Sequence, residues 1–301
     1  MVLVFGTICI DCIRRISSLP KKGGYCSVED QIELLGGEAA NTACYLTMWR
    51  QEVVLAGNAI GGGFEGENLR MKLLEKGLDI HLLQRTGTTP VCDVYVTADG
   101  DRTMFGYGFH HEANHTPFDM LPFQAGHWFT ADPNIPNASR LAAKIAHTRQ
   151  MNLYLMDFSL DNEIIPRGAI CQYGTDSVGA KGYPDVNRRW AENWTAKHKC
   201  TTILTDGALG VYVAEPGKSA IYLPSFPAMV VVDSTGAGDA FRAGTLYGLI
   251  HNKSLVESVM FGAAAASLKV GHLGATESVP SLIEIDNWIK ANPETAQAYE
   301  F

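Results

Sequence analysis

Residues 230–244 read VVVDSTGAGDAFRAG and carry the densest chemistry in the chain. Gly236, Ala237 and Gly238 stand just ahead of a run of helix formers. Their N–H groups therefore fall in a first helical turn, where backbone donors lack partners and the helix dipole is positive. That is a cradle for an anion. Asp239 follows at once, and its carboxylate would repel the anion unless it has work of its own. Accepting the proton of an attacking hydroxyl, while the cradle steadies a transferring phosphoryl group, is such work. The plainer alternative is an acid that complements the helix dipole behind a glycine turn. Arg242, one turn on, either meets a phosphate or substrate anion or is a solvated helix residue.

The elements that must position this segment alternate between strand and helix. Residues 2–5 form a short apolar run of the kind buried on both faces of a parallel sheet. Strands are expected at 31–35, 53–60, 127–131, 152–158 and 202–206, and 230–232 leads as an apolar strand into Asp233. Helices are expected at 39–50, 67–76 with Gly77 as its cap, 139–150, 188–198, 237–251, 255–270 and 281–291. Residues 160–186 show no regular period. Two β-rich runs, 91–97 and 102–107, flank the turn signal Asp99-Gly100, and a small hairpin passes through Glu215-Pro216-Gly217. This rhythm describes one α/β domain over residues 1–301, with an inserted hairpin suited to a lid.

Composition excludes several function classes. The chain has 301 residues, 46% hydrophobic and 19% charged, with a net charge of −8 and no run of Lys or Arg, which argues against nucleic-acid and anionic-membrane partners. No apolar stretch approaches the ~20 residues of a membrane span. The opening MVLVFGTICI reads as a buried strand rather than a signal peptide, so a cytoplasmic protein is expected and the N-x-S/T triplets at Asn114, Asn137, Asn193 and Asn252 are chance matches. Seven scattered cysteines suit reduced thiols, and Cys9 and Cys12 lack the second pair that a zinc site needs. Residues 61–66, GGGFEG, satisfy the G-x-G-x-x-G dinucleotide fingerprint. They follow a later strand, however, and no acid ends a strand ~20 residues further on, so a dehydrogenase is disfavoured.

DSTGAGD at 233–239 closely resembles the D-T-x-G-A-G-D signature of the ribokinase family of carbohydrate kinases, the PfkB-type sugar and nucleoside kinases. Other landmarks appear in the family's order. Gly36-Gly37-Glu38-Ala39-Ala40-Asn41 resembles its G-G-x-x-x-N motif, and Asp11 its early Asp. Residues 89–107 resemble its lid hairpin, and Ala113-Asn114 the A-N pair that follows. Residues 205–210, TDGALG, resemble its nucleotide loop, and Gly274-Ala275 with Pro280 its late G-A loop. The resemblance spans nearly the whole chain. It implies a three-layer α/β sandwich on a mostly parallel sheet, with a β lid from about 12–35 and 91–106.

By the same resemblance Asp239 is the catalytic base and the backbone of Gly236, Ala237 and Gly238 the anion hole. Asp11, Gly37 and Asn41 bind the substrate, and Thr205, Gly207, Gly210 and Gly274 surround the nucleotide. Asp233 and Thr235, completed by 270–276, offer oxygens to a monovalent cation such as potassium. ATP and magnesium are the expected cofactors, a small sugar or nucleoside the partner, and a homodimer through the lid the expected assembly. Three positions depart from the pattern. Glu38 stands where ribokinases often have Lys, which favours a neutral acceptor. The magnesium-positioning N-x-x-E motif has no good match near 174–179, GTDSVG, where Asp176 is the candidate substitute. The third departure is Arg242. A binding protein that has lost turnover is the rival from another class, and the intact GAGD argues against it.

Overall fold

In the computed structural model all residues are described except 99–101, 110–113, 161–162, 179–180 and 301. The Asp99-Gly100 turn, Ala113 and Gly179 therefore lie outside the described residues. The strands, in chain order, are β1 (Val2–Gly6), β2 (Cys9–Ile16), β3 (Val28–Gly36), β4 (Val53–Gly57), β5 (Val91–Val96), β6 (Arg102–Tyr107), β7 (Trp128–Ala131), β8 (Asn152–Met156), β9 (Ile170–Gly174), β10 (Thr201–Thr205), β11 (Val211–Ala214) and β12 (Ile221–Leu223). The helices are α1 (Glu38–Met48), α2 (Gly63–Glu75), α3 (Pro136–Thr148), α4 (Thr175–Val178), α5 (Pro184–His198), α6 (Ala237–Ile250), α7 (Leu255–Lys269), α8 (Leu282–Ala291) and α9 (Pro293–Gln297).

Eight strands form the main sheet in the order β12-β11-β10-β9-β8-β7-β1-β4. It is parallel from β4 to β10, and β11 and β12 add an antiparallel edge. Val2 and Val4 of β1 point into one core, shared with α1, α6, α7 and α8, while Leu3 and Phe5 point into another beneath α3 and α5. All four are buried, so an uninterrupted apolar run is what this position requires. Each such side chain contributes about 1.5–3 kcal/mol. The result is a three-layer sandwich. Four further strands, in the order β3-β2-β5-β6, make a separate small sheet.

The structure departs from the sequence reading in three places. The small sheet begins at Cys9, not near residue 12, so Asp11 lies within its strand β2. The irregular stretch 160–186 contains β9, a strand in the interior of the main sheet. Its signal is masked by Gln172, a buried amide that accepts from the Tyr154 hydroxyl at 2.8 Å and donates to the Gly238 carbonyl at 3.0 Å. Lastly, residues 230–232 are not a strand. The three valines are more than half exposed, and the backbone is held instead by Val232 and Asp233 N–H groups donating to the Val270 carbonyl at 2.8 and 3.1 Å. The GGGFEG run serves packing at the start of α2, since a side chain on Gly66 would meet the Gly61 carbonyl oxygen at 2.6 Å.

Helices α6 and α7 approach closely because small residues face each other, and a Cβ on Gly244 would lie 2.7 Å from the Gly262 Cα. Gly244→Ala is expected to destabilise the fold by about 1–3 kcal/mol, through overpacking against backbone. Thermal denaturation would show it as a lowered melting temperature, and an unchanged one would contradict the close approach.

Candidate active site

A cleft of about 1080 Å³ runs along the carboxyl ends of the parallel strands, between the main sheet and the small one. Its wall includes residues that end or follow β1, β7, β8, β9 and β10, namely Thr7, Asn134, Asp157, Gly174 and Thr205. This is where open parallel sheets bind ligands. Asp11, Gly37, Asn41, Thr205, Gly207, Gly210 and residues 234–239 all line it, so the structure brings together nearly every residue singled out from the sequence. Gly274 and Asp233 are the exceptions, since neither lines the cleft. Gly274 is buried against Leu34, away from the cleft wall, and its N–H donates to the Asp233 carboxylate at 2.8 Å.

Gly236 caps α6 with φ 75°, and a Cβ there would meet that of Ala275 at 2.5 Å. The loop carrying Ala275 therefore fixes the cradle that opens α6. Asp239 sits in the first turn of that helix and is 4% exposed. Its Oδ2 accepts from the Asn41 side-chain amide at 2.8 Å and its Oδ1 from Arg242 at 3.3 Å. Burial pushes the Asp239 carboxyl up to about 6, against the lowering effect of Arg242 and Asn41.

Arg242 is neither solvated nor free to meet a ligand as its sequence position allowed. It is fully buried, and its Nε donates to Thr42 Oγ1 at 2.7 Å while Nη2 reaches the Glu38 carbonyl. It thus ties the first turn of α1 to the acid on α6. Asn41, expected to bind substrate, also positions Asp239. Its Oδ1 is buried with no partner among the described residues, which leaves an acceptor for a hydroxyl.

Asp11 projects from β2 and accepts from the Cys9 thiol at 3.4 Å. Burial raises its carboxyl to about 6. Gly37, at φ 93°, opens α1, and a Cβ there would strike the Thr7 carbonyl at 2.3 Å, so the β1–β2 junction itself demands glycine. Glu38 faces the cleft, with Oε1 accepting from Asn134 at 3.1 Å and Oε2 unpartnered among the described residues. Burial raises its carboxyl well above the usual range, and the nearby Asp132 and Asp239 add to the shift.

Two residues matter here that the sequence reading missed. Asp206 is buried inside the 205–210 loop, accepting from Thr175 Oγ1 at 2.7 Å, Asn187 Nδ2 at 2.9 Å and the Gly182 N–H. It braces the loop from beneath. Asp157, just past β8, adopts φ 57° and accepts from Ser177 Oγ at 3.1 Å, at the place where the N-x-x-E motif is degenerate. Burial raises its carboxyl. Asp176 lines the same part of the cleft and is exposed. Among the described residues no three His, Cys, Asp or Glu side chains gather into a metal cage. These carboxylates fit a magnesium ion that arrives on nucleotide phosphates and keeps most of its water. The surroundings of Asp233 fit a monovalent cation poorly, because the buried Lys269 ammonium already donates to the Asp233 carbonyl at 2.6 Å and would repel a second cation. The Thr235 and Gly274 N–H groups each take one carboxylate oxygen at 2.8 Å.

Comparison with known proteins agrees with this geometry. The pfkB family carbohydrate kinase model matches residues 1–152 and 178–282. A curated relative named as an uncharacterized sugar kinase, from Dictyostelium discoideum, is 31% identical, covering 97% of this chain and 98% of its own. Among solved structures, the ribokinase of Arabidopsis thaliana, complexed with ribose and ATP, superposes with a TM-score of 0.77 at 21% identity, covering 100% of this chain and 98% of its own. A Burkholderia thailandensis nucleoside kinase in complex with inosine gives 0.74 at 18% identity, with 97% of each chain covered. The chain belongs to the pfkB family and is a carbohydrate kinase of the sugar and nucleoside class. Among the described residues no helix is long and apolar enough to cross a membrane.

Because Asp11 is held ionised at neutral pH in a buried position, with no cation partner among the described residues, Asp11→Asn should stabilise the free protein. Its folded value of about 6 lies above the unfolded one, so the cost of the charge is present at pH 7.5 and fades as pH falls below 6. Denaturant titration at pH 7.5 should show a gain of about 1–3 kcal/mol, smaller at pH 5. A loss of stability at pH 7.5 would contradict the desolvated carboxylate.

Proposed function

We propose that this kinase transfers the γ-phosphoryl group of ATP to a hydroxyl of a neutral sugar, polyol or nucleoside. The observation that carries the reading is the placement of Asp239, buried beside the 236–238 backbone, with both oxygens oriented by Asn41 and Arg242. Asp239 accepts the acceptor's hydroxyl proton as the oxygen attacks, and the N–H groups at the start of α6 stabilise the charge on the transferring group. Asp11 and the free Oδ1 of Asn41 orient the acceptor hydroxyls. The nucleotide lies along the 205–210 loop and the α7 wall of Ala263, Ser267 and Val270. Asp157 and Asp176 would hold a phosphate-bound magnesium ion, which when present neutralises phosphate charge.

Substrate class follows from charge. Asp11, Glu38 and Asp239 all face the acceptor side, so an anionic acceptor would be repelled. Cys92, Val94 and Met104 of the lid turn thiol and apolar surface toward the same space, which suits a nucleoside base as well as a sugar ring. The edge strands of the lid expose Val28 and Ile32 on β3 and Phe105 and Tyr107 on β6, surface that a lid-to-lid homodimer would cover.

The direct test is ADP release with MgATP across neutral sugars, polyols, nucleosides, sugar acids and sugar phosphates. Turnover confined to neutral acceptors is expected. Silence throughout, in folded protein that still binds ATP, would favour a binding protein without turnover. Asp239→Asn is expected to retain ADP binding and lower kcat by about 10²–10⁴, the usual worth of a general base. Near-normal turnover would sink the assignment. In the wild type, kcat/KM should fall below pH about 6, as Asp239 and Asp11 take up protons. A profile flat down to pH 4.5 would contradict a base so placed.

A further inference from the structure

Lys269 is the last residue of α7, and its side chain is fully buried. An ammonium group withdrawn from water is costly unless its N–H groups find oxygens. This one donates to the backbone carbonyl of Asp233 at 2.6 Å and to that of His272 at 3.3 Å. The carboxyl end of α7, where the helix dipole is negative, favours the same charge.

Those carbonyls belong to the two loops that meet behind the anion cradle. Residues 233–236 lead into α6, and 270–276 pack against Gly236 through Ala275. The Asp233 carboxylate joins the same loops through the Thr235 and Gly274 N–H groups. Although burial pushes the Asp233 carboxyl up, the hydrogen bond from Thr235 and the Lys269 ammonium hold it below its usual value. The junction thus has a positive charge from the chain itself, seated on the Asp233 and His272 carbonyls.

We propose that the Lys269 ammonium is the resident cation of this junction. A tethered charge does here what a bound monovalent ion would do: it draws carbonyls of both loops together and so holds the cradle N–H groups toward the cleft. Nucleotide binding and turnover are then independent of added potassium. Turnover rests on the kinase reading, whereas loop order does not.

The test measures melting temperature and MgADP affinity in tetramethylammonium buffer, with and without saturating potassium chloride. Wild type should change by less than about twofold in affinity and should not shift in melting temperature. Lys269→Ala should bind MgADP at least about tenfold more weakly, and potassium or ammonium should recover part of the loss and raise its melting temperature. Potassium that tightens the wild type tenfold, or a Lys269→Ala variant with wild-type affinity, would overturn the proposal. Should the variant fail to fold, the wild-type comparison decides alone. If wild type binds no MgADP in either salt, the kinase reading fails. The melting temperatures still decide the cation question, since a potassium-induced rise in the wild type would refute a tethered charge.

Discussion

The site depends on keeping one carboxylate ionised inside the protein. Asp239 is almost wholly buried, and the acids around it, Asp132 and Asp157, push it further toward protonation. Arg242 and Asn41 oppose that drift. Neither is a neighbour by accident of sequence. Arg242 follows one turn along α6, and Asn41 is 198 residues away on α1. The two helices must therefore pack before the acid has both partners. Arg242 enforces this by bonding Thr42 and the Glu38 carbonyl in the first turn of α1. Removing the arginine would leave a buried carboxylate without a counter-charge, and removing the acid would strand a buried guanidinium.

A similar economy governs the loops. The cradle at 236–238 stays open because Gly236 adopts a left-handed backbone against Ala275, and Ala275 is placed by a loop pinned through Asp233 and Lys269. The 205–210 loop is braced by Asp206, whose carboxylate gathers donors from Thr175, Gly182 and Asn187. In both places a buried charged residue spends its hydrogen bonds on backbone or on neighbouring loops. That rigidity lets the cleft itself present the Asp11 carboxylate and the Asn41 Oδ1, unpartnered among the described residues, toward a ligand.

Much of this was legible in the sequence because it is local. The apolar run of β1, the capping glycine after α2 and the GAGD turn ahead of a helix each follow from a few adjacent residues and the period of their element. The order of the glycine motifs along the chain was likewise readable. Where the reading failed, the deciding partner was distant. Gln172 hid β9, since an amide in a strand looks like a loop signal until Tyr154 and the Gly238 carbonyl satisfy it. Val230, Val231 and Val232 looked like a strand because strand propensity cannot show that no strand lies alongside.

The sequence by itself determined the α/β class, the glycine turn that opens α6 and the acid in that helix's first turn, because these rest on spacing within one turn or one strand. Only the tertiary structure decided that Arg242 is buried against Asp239, that Asn41 holds the Asp239 carboxylate, and that Gly274 serves Asp233 rather than the cleft. It alone placed the Lys269 charge on the carbonyls of two loops. The reason is physical: the state of a charged side chain is set by its desolvation and its partners. Both are properties of packing between segments up to about two hundred residues apart, which no local pattern records.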